Sequence, residues 1–176
     1  MNKHLYTNLL IALTTLVMSL STVAQTDKDS DYPMLNLTAG KIGVLDSTPK
    51  KASRFGLEYR GKKISKWEII PAYGYTWSIN GSKYIYSDLK HDWNFKNNLV
   101  FTLSLGTGLF DNNDSIDLGH AIEFRSGIEL TYRFKHGSRI GIAAYHLSNS
   151  RISSKNPGTE SIVISYLIPL NKILRK

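Results

Sequence analysis

The chain has 176 residues, no cysteine and a formal net charge of +8, from 22 Lys and Arg against 14 Asp and Glu. The absence of cysteine excludes disulfides, a thiol nucleophile, cysteine-ligated metals and a lipid-modified cysteine at the N-terminus. The positive surplus suits an anionic partner.

Residues 1–24 read as a secretory signal: Lys3 and His4 lead an apolar run from Leu9 to Leu20, followed by small residues up to Ala24. The run is shorter than the roughly 20 apolar residues of a spanning helix, so cleavage near Gln25 is expected rather than anchoring. Cleavage removes Lys3 and no acidic residue, which takes the net charge from +8 to +7. An exported basic chain meets phosphorylated lipid before it meets nucleic acid. Residues 25–33, beginning QTDKDSDY, are polar and read as a flexible lead-in.

From about Leu35 the dominant period is two, and no stretch shows a helical stripe. Eight strands are expected, near Leu35 to Val44, Arg54 to Tyr59, Ile64 to Ile79, Lys83 to Leu89, Asn98 to Leu109, His120 to Phe134, Arg139 to Ser148 and Glu160 to Ile168. The first switches its apolar parity between Leu37 and Ile42, which suggests a bulge at Gly40. The third alternates Trp67, Ile69, Tyr73, Tyr75 and Trp77 with Glu68, Ala72, Gly74 and Thr76. The fifth sets Leu99, Phe101, Leu103 and Leu105 against Thr102, Ser104 and Gly106. In the sixth, Ile122, Phe124, Ile128, Leu130 and Tyr132 oppose Glu123, Arg125, Gly127, Glu129 and Arg133.

A small barrel has little room inside for so many large aromatics, whereas glycine, serine and charged pairs fit there. The apolar face therefore turns out toward lipid, with Trp and Tyr as interfacial belts. The expected fold is all-β: an eight-stranded antiparallel transmembrane β-barrel of the outer membrane over residues 34–170, followed by a basic tail, 171–176. Glu123, Arg125, Glu129 and Arg133 read as an interior salt-bridge ladder. His91, His120 and His136 read as turn or rim residues.

With the N-terminus in the periplasm, the turns at Arg60 to Lys63, Asp92 to Asn97 and Lys135 to Ser138 are periplasmic. The connections at Leu45 to Ser53, Asn80 to Ser82, Phe110 to Gly119 and Asn149 to Thr159 are then external. The basic residues Lys50, Lys51, Arg54, Arg151 and Lys155 on those outer loops are candidates for binding lipid phosphates. Barrels of this kind commonly finish on an aromatic residue, and here the last strand instead runs into Pro169, Leu170 and the tail.

The chemistry gathers at one end of the last two strands. His146 and Ser148 are two apart and share a face, and a return strand starting near Glu160 sets a carboxylate opposite His146 or Ser148. Nucleophile, base and orienting carboxylate are the parts of a serine hydrolase. No His, Asp or Glu cluster has metal-ligand spacing.

The segments HLSN and NPGTES resemble the outer-membrane lipid A 3-O-deacylases, known as PagL, in which His-x-Ser is followed by Glu twelve residues after the Ser, as Glu160 follows Ser148. The resemblance implies hydrolysis of the 3-O-linked acyl ester of lipopolysaccharide by His146, Ser148 and Glu160 without a cofactor. It also implies a site shaped by Asn149, Asn156 and Gly158 that stabilises the oxyanion. The partners it implies are lipid A and the outer membrane and not nucleic acid, with a homodimer among the arrangements left open. Two alternatives stand beside it: a non-enzymatic barrel acting in adhesion or surface binding through its loops, and a soluble periplasmic barrel holding a ligand inside.

Overall fold

Period-two alternation becomes eight strands in the computed structural model, which describes residues 32–45, 51–64, 66–113 and 116–173. They are β1 (Met34–Ile42), β2 (Ala52–Arg60), β3 (Ile70–Ser78), β4 (Lys83–Asn94), β5 (Leu99–Asp111), β6 (Ile122–Arg133), β7 (Arg139–Ser148) and β8 (Thr159–Pro169), and one helical turn, α1 (Leu170–Ile173), follows. Each strand pairs antiparallel with the next, and β8 pairs with β1 to close the barrel. The signal segment, residues 25–31 of the lead-in, Lys50 and residues 174–176 of the tail lie outside the described residues.

Ladder partners traced from Glu123 through Gly108, Tyr86, Gly74, Glu58, Asn36, Leu167 and Arg139 return to β6 at Arg133, ten residues further along. A stagger of that size tilts the strands by about 35–45°. The wall then has two faces. Leu57, Tyr73, Leu89, Leu105, Leu130, Ile142 and Ile164 are exposed on the outside, whereas Glu58, Lys90, Asp92, Arg125 and Glu129 are buried inside. An exterior of that kind, belted by Trp77, Phe55 and Phe124 above and by Tyr59, Tyr73 and Tyr132 toward the chain termini, is that of a membrane-spanning barrel.

Three details differ from the sequence expectation. The third strand begins at Ile70, because the chain reverses between Ile64 and Ile69, which bridge each other across a turn with Glu68 at φ 53°. Trp67 and Ile69 continue the alternation there without being wall residues. The fourth strand runs on to Asn94, so Asp92 faces the lumen instead of a turn and His91 is a wall residue beside Trp93.

The third difference concerns Gly40. No bulge interrupts β1, whose ladders to β2 and β8 are continuous through Gly40. The parity change arises because Ile42 points into an apolar plug under the upper rim, formed with Ala52, Tyr84, Phe110, Ile116, Leu118 and Leu147. A side chain at Gly40 would run into the backbone of Ile162 and Val163.

Below the plug the lumen is filled with charge. Arg60 binds Glu58 at 2.7 Å and Glu129 at 2.8 Å, Lys90 lies 3.2 Å from both Glu58 and Asp88, and Arg139 binds Asp92 at 2.6 Å. Arg125 pairs with Asp88 while its guanidinium lies 4.1 Å and 3.6 Å from the ring centres of Tyr86 and Tyr145. The interior charge is as expected, but its partners come from other strands rather than from a ladder along β6. Glu123 differs from the rest, since it is fully buried with neither carboxylate oxygen hydrogen-bonded among the described residues.

Two substitutions separate these cases. Glu58→Leu strips Arg60 and Lys90 of a shared buried partner and should cost about 3–5 kcal/mol of stability. Glu123→Leu removes a carboxylate that nothing compensates and should leave stability unchanged or raise it. Urea unfolding of the refolded barrel, followed by tryptophan fluorescence, reads both.

Candidate functional site

The β7–β8 ladder sets His146 directly opposite Glu160. Both side chains point outward at the upper rim, the end away from the termini, and remain part exposed at 47% and 32%. Imidazole Nδ1 lies 3.1 Å from Glu160 Oε1. A carboxylate accepts only, so Nδ1 carries the proton and Nε2 is left as an acceptor. The Glu160 peptide is itself tied down, because its carbonyl accepts from Gly43 N at 2.8 Å and Val44 N at 3.2 Å.

Gly158 lets the imidazole lie where it does. At φ +67°, a Cβ there would come within 2.9 Å of His146 Cε1.

Ser148 is outward and part-buried, with its Oγ 3.1 Å from Asn156 Nδ2 and 3.2 Å from Asn156 Oδ1, and it accepts from Ser150 N at 3.1 Å. The structure thus brings His146 to Glu160 and Ser148 to Asn156. The Ser148 hydroxyl is turned to the amide and makes no hydrogen bond to His146. Asn156 Oδ1 also accepts from Asn149 N at 3.1 Å, so one amide organises the turn around the hydroxyl.

Asn149 has another task. Its side chain is fully buried, donating to Leu118 O at 2.9 Å and Lys155 O at 2.8 Å and accepting from Arg151 N at 3.0 Å. It pins the loop after Ser148 to the loop that caps the lumen. Of the basic residues assigned to outer loops, Arg54 is a lumen residue bound to Ser161 and Thr76, and Lys155 pairs with Asp117. Lys51 and Arg151 are exposed.

One element of the site escaped the sequence reading. A groove of about 360 Å³ runs down the outer wall from His146 and Glu160, between Leu45 and Ile162 on one side and Leu103 and Ile128 on the other. Its floor is made by Ser126, opposite His146, and Ala144. Two small outward residues in a wall of large apolar ones were the available signal.

A family model described as Lipid A 3-O-deacylase (PagL) matches residues 53–169. The Lipid A deacylase PagL of Pseudomonas aeruginosa is 34% identical over 65 residues, an alignment covering 37% of this chain and 35% of that protein's length. Among solved structures, that of the outer membrane enzyme PagL has a TM-score of 0.68 at 20% identity, covering 77% of this chain and 99% of the other. Neisserial surface protein A gives 0.56 at 13% identity, covering 80% and 97%. At these identities the structural likenesses speak for the barrel alone.

The anchoring role of Asn149 is open to a direct check. Asn149→Ala removes one hydrogen bond to the capping loop and two within the 149–158 loop without touching the strands, and the protein should assemble while the 149–158 segment loosens. Limited trypsin digestion of the folded barrel should cut faster after Arg151 and Lys155 than in the parent, with the strands still resistant.

Proposed function

Since the chain belongs to the lipid A 3-O-deacylase (PagL) family, we propose that it hydrolyses the 3-O-linked acyl ester of lipid A by a serine-type mechanism at the outer-leaflet rim of the outer-membrane barrel. The observation that carries this reading is the His146–Glu160 pair, 3.1 Å apart, placed at the head of an apolar groove on the lipid-facing side of the wall. A soluble ester would have no use for a groove that opens sideways. A fatty acyl chain held in the leaflet lies along it, flanked by Leu103, Ile128 and Ile162, with its ester at the level of the polar residues.

In the resting state the Ser148 hydroxyl faces Asn156. Rotation about χ1, a soft torsion with three staggered wells, brings Oγ toward His146 Nε2, two residues back on the same face. Nε2 takes the hydroxyl proton as Oγ bonds to the ester carbonyl carbon, and Glu160 offsets the imidazolium charge. Asn156 Nδ2, 3.1 Å from Oγ at rest, is released to donate to the carbonyl oxygen as it becomes an oxyanion.

Collapse of the tetrahedral intermediate expels the sugar 3-oxygen, which leaves as a hydroxyl with the proton from His146. A water activated by the same imidazole then hydrolyses the acyl-serine and frees the fatty acid. All the groups used belong to one chain, so the reaction needs no second copy.

Lipid A from cells expressing the barrel should lack the mass of one ester-linked acyl chain, as read by mass spectrometry. An unaltered acyl pattern with a fully assembled barrel would contradict the reading and favour a non-enzymatic surface protein. On purified folded protein, Ser148→Ala should abolish release of fatty acid. Asn156→Ala should slow it by about 10²–10³, the usual loss for one oxyanion donor. Activity should fall from Glu160 to Gln to Ala, with both variants above Ser148→Ala, and a fully active Glu160→Ala would reduce the site to a His-Ser dyad.

A further inference from the structure

Among the described residues, the outward face of the strands carries few Asp, Glu, Lys, Arg or His side chains besides His146 and Glu160. His91 stands low on β4, and Lys83 sits at the top of β4 with Asp111 opposite it in the ladder. The remaining one is Lys41. It is exposed near the upper end of β1, and its ammonium has no ion-pair or hydrogen-bond partner among the described residues. A cation on a lipid-facing wall is costly away from the interface, and a lysine there extends its amine toward the headgroups.

The register fixes where this amine stands. Lys41 is directly opposite Ile162, a wall of the groove. Glu160, two residues before Ile162, is therefore its diagonal neighbour, with Cβ atoms about 7–8 Å apart. Hydrogen bonds from Gly43 and Val44 to the Glu160 carbonyl hold the end of β1 against the site. Lys41 thus flanks the His146–Glu160 pair on the side away from Ser148, separated from the groove by a single side chain.

We propose that Lys41 is a substrate-positioning residue that binds a phosphate monoester on the glucosamine carrying the scissile ester. This rests on the reaction proposed above. With the acyl chain in the groove and the ester at Ser148, the sugar ring lies across the top of Ile162, and a phosphate on it comes within reach of the Lys41 ammonium. Phosphate is the strong anion of that layer, and an unneutralised amine at headgroup level meets it without first breaking a salt bridge. Lys41 contributes affinity and register of the ester over Ser148 and no bond-making step.

Binding to the folded Ser148→Ala barrel in detergent micelles tests this without turnover, using bisphosphorylated lipid A and its fully dephosphorylated counterpart as probes. The Ser148→Ala protein should bind the phosphorylated probe about tenfold more tightly, the order expected of one charge-assisted contact. Adding Lys41→Gln should erase that preference and leave affinity for the dephosphorylated probe unchanged. Lys41→Arg should preserve it, and Lys83→Gln, an equal loss of charge elsewhere on the rim, should have no effect.

A preference that survives Lys41→Gln would overturn the proposal, as would an equal loss on both probes, which would mark a structural role. Loss of the preference when phosphatidylglycerol is mixed into the micelle would also overturn it, because Lys41 would then be a general membrane anchor. With Ser148 intact, failure to deacylate either probe would count against the proposed reaction, whereas the binding preference stands or falls on its own.

Discussion

The ladder between β1 and β8 is the contact on which the remainder of the structure depends. In hydrocarbon no water is present to satisfy an open strand edge, so the sheet must close on itself. Closure with a ten-residue stagger leaves each side chain one of two environments, lipid or lumen. A polar group can be catalytic toward lipid only if it points outward and sits at a rim. His146, Ser148 and Glu160 meet both conditions because parity and register place them there.

The lumen gives these strands something rigid to stand on. Tyr145 and Leu147, which flank His146 in sequence, are buried on the inner side. Tyr145 packs against the Arg125 guanidinium at 3.6 Å, and Arg125 is in turn held by Asp88. Leu147 belongs to the apolar plug, and Asn149 beyond it is hydrogen-bonded to the capping loop at Leu118. Every second residue from 145 to 149 is therefore anchored inside. The alternate residues His146 and Ser148 project from a fixed backbone, which is what a preorganised site requires.

Much of this was legible in the sequence, for a physical reason. A barrel wall converts environment into a strict two-residue period, so β6 could be read almost residue by residue, and the spacing from Ser148 to Glu160 pointed to the candidate site. What was hidden followed from effects that the period does not encode. Trp67 and Ile69 keep the alternation through a turn, so β3 looked longer than it is. Ile42 is apolar and inward because the top of the lumen is greasy, which resembled a bulge at Gly40. Arg54 lies near a loop in sequence but turns into the lumen, and the groove beside His146 depends on which small residues from different strands fall side by side. Only the register shows that.

The proposed nucleophile is Ser148, although its hydroxyl rests on Asn156 and not on His146. Covalent trapping tests that claim most directly: a lipid-like fluorophosphonate is added to the folded barrel in detergent, and the modified residue is located by peptide mass spectrometry. The predicted result is a single phosphonyl adduct on Ser148, formed much more slowly when His146 is replaced by Ala and absent from the unfolded chain. No adduct on the folded barrel, or an adduct on another serine, would contradict it.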